Sequence, residues 1–286
     1  QWSGMDLNTS EGIPTGITTD KLFSLIVDPS FDNIEAGLFD NDGMAFDKLN
    51  YIKINSNLST IGSKAFYNSN LVTFEIADGV KIGEIGTSAF EGCTKLKVID
   101  IGPEVNIIRA KAFKDNHELS VINIPNTVIS LGNEISEDGN YIGAVFQNCY
   151  RLTEINIPTN IISLNQSMFE GCMSLTTISG LDHVTSFDKN VFKGCIALEN
   201  VYLGNNVEYV GNDVFTDCLN LKLTIDYNAR YSTFIDVGFN KNQVYKINVM
   251  DEITEFESYA FFDYKPPQQL SWNKFVGFKW FLYLFN

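Results

Sequence analysis

A phenylalanine recurs along this chain at Phe39, Phe66, Phe90, Phe113, Phe146, Phe169, Phe192, Phe215, Phe239 and Phe261, with successive gaps of 27, 24, 23, 33, 23, 23, 23, 24 and 22 residues. A base period of 23 with a few insertions accounts for every gap. The stretch 187–211, FDKNVFKGCIALENVYLGNNVEYVG, shows one unit: after Phe192 come Cys195, Leu198, Val201, Leu203, Val207 and Val210, and Gly211 opens the next copy. A unit this short cannot bury its own apolar face. Residues recurring at 20–29 positions therefore signal a solenoid, in which each coil stacks on its neighbours.

Within each coil an L-x-x-I-x-I half is clearest, as in Leu49/Ile52/Ile54, Leu96/Ile99/Ile101, Leu152/Ile155/Ile157 and Leu198/Val201/Leu203. It ends in strict alternation, which is strand behaviour. The copy at Leu175/Ile178 has Gly180 in its third place, and the copy Leu221/Leu223/Ile225 runs one residue short. A turn follows, often with Pro or Gly, and then V-x-x-I-G returns the chain across the core. The closing G-x-x-A-F-x-G-C segment is too short for a stable helix and predicts a single tight turn. Ten coils are expected, forming one linear core and one domain over 22–262, with a tail at 1–21 and an aromatic cap at 263–286.

The five cysteines, Cys93, Cys149, Cys172, Cys195 and Cys218, each lie three residues after a ladder phenylalanine. They are one position of the repeat. Ser69, Asn116 and Asn242 fill the same slot elsewhere, so the slot reads as a buried ladder of small residues able to bond backbone groups. Thiols stacked about 4.8 Å apart and pointing the same way do not face one another as a disulfide requires. No CxxC occurs and His117 and His183 are far apart in sequence, so no metal or other cofactor is expected.

The formal charge is −15, from 35 acidic and 20 basic residues, with no basic stripe; nucleic acid is not an expected partner. An acidic surface serves solubility. No apolar run approaches the 18 residues of a membrane span, so the chain reads as soluble. It begins at Gln1 with no basic-then-apolar leader, which suggests a processed or trimmed protein and leaves export open. Neither GxSxG, HExxH nor a phosphate loop occurs, so no catalytic residues are assigned.

The segments IGTSAFEGCTKLKVIDI (85–101) and VFKGCIALENVYL (191–203) resemble the leucine-rich repeats of the BspA-like type, whose units look like LxxIxIPxxVxxIGxxAFxGC. The resemblance covers roughly 22–262. It implies a leucine-rich-repeat solenoid of parallel β coils in a curved array, and a bacterial surface or secreted protein, in some cases an adhesin for extracellular host proteins. It implies binding and not catalysis. The departures are the insertion in the coil starting at Leu131, missing I-G pairs at Leu164-Asn165, Phe187-Asp188, Phe234-Ile235 and Phe256-Glu257, and the C-terminus.

At the N-terminus, Trp2 and Met5 either cover the first coil or belong to a flexible end. The insertion, NEISEDGNYIGAV from 133 to 145, must leave the coil; Asp138-Gly139 or Gly139-Asn140 could form a tight hairpin turn. Its candidate binding residues are Glu134, Glu137, Asp138 and Tyr141. From Pro266 onward, Trp272, Phe275, Phe278, Trp280, Phe281, Tyr283 and Phe285 need burial, either as a cap on the last coil, against a partner, or on carbohydrate.

The repeat also forces one row of side chains outward. Between the two inward residues of each strand sit Lys53, Glu75, Asp100, Asn123, Asn156, Ser179, Tyr202, Thr224 and Asn248. At about 4.8 Å per coil they would form a continuous polar stripe. Any β-face open to water looks similar. If the stripe binds, Tyr202 is its anchor and Glu75 and Asp100 favour a basic partner. The expected function is protein binding at a cell surface or outside the cell, with glycan binding or a structural spacer as the alternative.

Overall fold

The computed structural model describes residues 22–27, 31–41, 46–135, 141–227, 239, 243–249 and 269–272. They form a parallel β-solenoid in which each coil has three sides, and no α-helix occurs among them.

The first side is the L-x-x-I-x-I half. Its strands Ser24–Val27, Tyr51–Ile54, Thr73–Ile76 and Val98–Ile99 pair in parallel in that order, and Asn200–Leu203, Lys222–Tyr227, Val244–Val249 and Gln269–Trp272 do the same farther along. Between these two leading sheets, Glu154–Asn156 pairs only with Thr177–Ser179. The second side is the V-x-x-I-G half, which forms a return sheet. One part runs through Asn33–Ile34, Leu58–Ile61, Ile82–Ile85, Ile107–Ile108 and Ser130–Leu131, and the other through Ser163–Leu164, Ser186–Phe187 and Tyr209–Val210. In both sheets the alternating apolar residues point in: Ile52, Ile54 and Ile61 have no exposed surface.

The third side is the phenylalanine turn, and its backbone explains why a turn this short stacks. Two residues before the ladder ring the chain is left-handed, at Lys64, Ser88, Lys111, Ala144, Ser167, Asn190 and Asp213 with φ between 56 and 60°. Two residues after it the chain is left-handed again, at Asn68, Asp115, Asn148 and Asp217, with glycine at 92, 171 and 194. This alternation points every second N–H along the solenoid axis. In the coil of Phe90, the N–H groups of Ser88, Phe90 and Gly92 donate to the carbonyls of Ala110, Ala112 and Lys114 at 3.0, 2.8 and 2.8 Å. A left-handed non-glycine residue costs roughly 1–2 kcal/mol, and the bond to the next coil offsets it.

Inside this turn the rings from Phe39 through Phe215 stack face to face, with centroids 5.0 to 5.6 Å apart and planes within 16°. The spacing between Phe113 and Phe146 is 5.6 Å although 33 residues separate them, so the insertion leaves the ladder in step. One hydrophobic cluster runs from Leu25 to Val244. All five cysteines are free and buried. Each thiol donates to the carbonyl of the ladder phenylalanine one coil back: Cys93 to Phe66, Cys149 to Phe113, Cys172 to Phe146, Cys195 to Phe169 and Cys218 to Phe192, at 3.0 to 3.2 Å.

Of the ten expected coils, the one opened by Phe261 lies outside the described residues and the one opened by Phe239 is described only in part. Gln269–Trp272, inside the segment read as a cap, pairs in parallel with Val244–Val249 and so adds a strand to the leading sheet. The tail at 1–21 and the remaining residues of 263–286 lie outside the described residues, as do Asn242 and the pairs Phe234-Ile235 and Phe256-Glu257.

Candidate functional site

The outward row is real in part and broken in part. Ile26, Lys53 and Glu75 stand in register. Asp100 follows the end of its strand, where it is exposed and its carboxylate accepts the N–H of Gly102 at 2.9 Å, a local turn bond. Asn123 is exposed and lies on no strand. Asn156 and Ser179 are aligned, with the serine hydroxyl donating to Asn156 Oδ1 at 2.8 Å. Tyr202 and Thr224 are aligned in the last sheet.

Asn248 does not belong to the row. Thr224 is opposite Lys246, and Lys246 is opposite Gln269, whereas Asn248 is opposite Asp226. The cause is the coil at Leu221, which is one residue short. The following strand compensates with a register shift that leaves Tyr245 unmatched between Val244 opposite Leu223 and Lys246 opposite Thr224. A row assumed continuous therefore becomes three short segments, Ile26–Lys53–Glu75, Asn156–Ser179 and Tyr202–Thr224–Lys246–Gln269.

What the shift builds instead is a cluster. Asp226 is buried, at 7% exposure, and its carboxylate accepts the Tyr202 hydroxyl on one oxygen and the Asn248 amide at 2.8 Å on the other. Tyr202 remains 45% exposed, with its hydroxyl end held by Asp226. Burial of that end, with the hydrogen bond and charge of Asp226, pushes the phenol up to about 12. Asp226 was not among the expected residues; its signal was an acid placed directly after the apolar run LKLTI. A similar pair lies in the first sheet, where the Tyr51 hydroxyl donates to Glu75 Oε2 at 2.9 Å and that bond raises the tyrosine's pKa.

The insertion is a hairpin: Glu134–Ile135 pairs antiparallel with Tyr141–Ile142. Glu134 stands opposite Ile142 and Ile135 opposite Tyr141, which leaves five residues between the strands. The turn expected at Asp138-Gly139 or Gly139-Asn140 lies outside the described residues. Glu137 and Asp138 lie outside the described residues, as does the side chain of Tyr141. Glu134 is already engaged, because the Thr87 hydroxyl meets both its oxygens at 2.8 and 3.0 Å. Its charge also adds to the hydrogen bond from Arg109 to Glu84 in raising the pKa of Arg109. Among the described residues no group of three His, Cys, Asp or Glu is placed to hold a metal. Among the same residues, no helix is long and apolar enough to cross a membrane.

Where the hairpin rejoins the solenoid, the return sheet is interrupted. Ser130–Leu131 and Ser163–Leu164 do not pair, although they belong to adjacent coils. Gly143 passes so close to the next coil that a Cβ there would lie 2.2 Å from the Gln166 carbonyl oxygen. Asn165, standing where other coils carry the glycine of the I-G pair, bridges with its side chain instead of its backbone: its amide donates to the Leu131 carbonyl at 3.0 Å. A cleft of about 110 Å³ remains, lined by Ile129, Ser130, Asn133, Asn160, Ile162 and Ser163 among others.

Stacked coils with a leading strand, a return strand and a ring-and-thiol turn define a leucine-rich-repeat solenoid. The chain belongs to the BspA-type leucine-rich-repeat family: residues 18–142 and 140–266 match the BspA type leucine rich repeat region, in six copies. No curated protein matches it. Among solved structures it is similar to a leucine rich repeat protein of T. pallidum, at 22% identity and a TM-score of 0.50 over 62% of this chain and 78% of that one. It is also similar to a leucine rich cell surface protein of Faecalibacterium prausnitzii, at 19% identity and a TM-score of 0.46, with 88% of each chain covered. A third, from Eubacterium ventriosum, has 17% identity and a TM-score of 0.43, over 89% of this chain and 73% of that one.

Proposed function

We propose that this chain is a non-catalytic binding module, displayed on a bacterial surface or secreted, that holds a protein partner on its leading face around Tyr202. Membership in the BspA-type family supports binding as the activity and a surface as the place. The observation that carries the reading is Tyr202 itself: an exposed ring whose hydroxyl is held by a buried carboxylate. Such a ring has little rotamer freedom left to lose on association, and aromatic anchors of this kind dominate interface energies. Thr224 and Lys246 stand beside it in register and supply a hydroxyl and a positive charge. Glu75 and Asp100, farther along the same face, favour a partner with a complementary basic patch. Adhesion to a host extracellular protein is the form of binding proposed.

The test is retention on immobilised extracellular-matrix extract in parallel with a glycan array. Tyr202→Ala combined with Asp100→Ala is expected to weaken binding to the extract at least tenfold while the chain stays folded, with a thermal midpoint lowered because the buried Asp226 carboxylate loses its tyrosine partner. Unchanged affinity in that variant, together with loss on deleting residues 134–141, would move the site to the hairpin. Binding to the array alone would overturn the protein reading.

A further inference from the structure

We propose that the interruption of the return sheet is a subsite for one neutral sugar unit of a glycan. This lies on another side of the coil from Tyr202 and does not rest on the proposed protein-binding face.

Elsewhere in the return sheet the backbone is consumed by pairing. The N–H groups of Thr185 and Ser186 both reach the Ile162 carbonyl, at 2.9 and 3.3 Å, and those of Ile129 and Ser130 both reach the Asn106 carbonyl, at 2.9 and 3.4 Å. The matching bonds from Ile162 and Ser163 to the Ile129 carbonyl are not made. An acceptor and two donors of the main chain therefore border the cleft. Around them stand the hydroxyls of Ser130 and Ser163 and the amides of Asn133 and Asn160, while Ile129 and Ile162 are 65% and 58% exposed at its rim.

Three properties of this cleft select the ligand. Its lining carries no charged side chain, in a protein with 35 acidic and 20 basic residues, so an ionic ligand would leave its charge uncompensated. Hydroxyls and amides both donate and accept, which matches sugar hydroxyls, and the two isoleucines offer an apolar surface to the C–H face of a pyranose. The cleft is also closed at both ends. The Asn160 amide bridges to the Asn126 carbonyl at 2.9 Å and the Asn165 amide to the Leu131 carbonyl at 3.0 Å, so the coils stand only a side-chain amide apart. Inserting a peptide strand would need about 9.6 Å, two strand spacings. That spacing excludes an extended chain, so the sugar is placed at the mouth of the cleft, with its ring against the two exposed isoleucines. The hairpin, whose re-entry at Gly143 accompanies the interruption, thereby gains a role that its acidic residues do not supply.

The test is a backbone-amide NMR titration of the full chain with the methyl glycosides of galactose, glucose, mannose and N-acetylglucosamine, each taken to tens of millimolar. At least one is expected to give saturable shifts concentrated at Ser130, Asn133, Asn160 and Ser163. Ser163→Val and Asn160→Ala should each weaken that binding at least fivefold, whereas Tyr202→Ala should leave it unchanged. Two variants guard against one misfolding, and the amide spectrum reports folding directly. The proposal is overturned if no glycoside shifts these amides saturably, if the shifts are unaltered in both cleft variants, or if a neutral peptide shifts them and the sugars do not.

Discussion

The thiol of Cys195 donates to the carbonyl oxygen of Phe169, 3.1 Å away and one coil back, so the cysteine ladder is bonded to the ring ladder's own backbone. The bond directs each sulfur back along the axis toward the preceding coil. Burial pushes all five thiols upward, Cys93 and Cys218 to about 12.

Native protein should therefore react with no thiol reagent at pH 8, and denatured, unreduced protein should titrate five thiols per chain. A count of one or three would show oxidation between ladder neighbours. The same shifts set an alkaline limit. A thiol whose pKa is raised in the fold contributes stability that is complete below about pH 9, its unfolded value, and is lost as pH rises toward 12. Denaturant midpoints should hold up to pH 9 and fall steadily above it.

Asn116 occupies the thiol slot between Cys93 and Cys149, is wholly buried, and finds no partner for either polar atom of its side chain among the described residues. A buried unmatched amide costs about 1–3 kcal/mol. Asn116→Cys should recover a bond to the preceding phenylalanine carbonyl and raise stability by an amount in that range, read from urea unfolding. A loss of stability would mean that the amide is satisfied by ordered water.

Ring position in the stack should be measurable. Phe169 lies between Phe146 and Phe192, whereas Phe39 has a ladder ring on one side only. Phe169→Ala should cost about 3–5 kcal/mol, and Phe39→Ala less. Equal losses would contradict a stacked core.

Two glycines separate backbone strain from crowding. Gly79 and Gly180 have φ of +77 and +78°, but a Cβ at Gly79 meets nothing within 4 Å while one at Gly180 would lie 2.3 Å from the Ile157 carbonyl oxygen. Gly79→Ala should cost about 1–2 kcal/mol, the left-handed penalty alone. Gly180→Ala should cost more, because backbone must move. Equal thermal shifts would place the whole cost in φ.

Much of this architecture could be read from the residues. The phenylalanine period fixed the coil length, the cysteine spacing identified a buried slot, and alternation marked both inward rows. The missing I-G pair at Leu164-Asn165 was visible too, and it falls where the return sheet parts. What stayed hidden depends on neighbours in space. Lysine, serine and alanine at 64, 88 and 144 carry no sign of left-handed backbone, because bonds to the next coil impose it. The row could not show Asn248 leaving it, since the shift at Tyr245 arises only when a short coil is paired with a full one. Asp226 looked like a strand end until Tyr202 and Asn248 were placed around it.

The interruption between Ser130–Leu131 and Ser163–Leu164 also bears on how the chain comes apart. Across that step the return sheet contributes no ladder bonds, and only the phenylalanine turn stays fully bonded, with the N–H groups of Lys111, Phe113 and Asp115 reaching Gly143, Val145 and Gln147. Repeat arrays hold together through nearest-neighbour interfaces, so the thinnest interface sets where cooperativity fails. Native-state hydrogen exchange should then resolve two unfolding blocks, one on each side of residues 132–143, in a protein whose core is otherwise continuous.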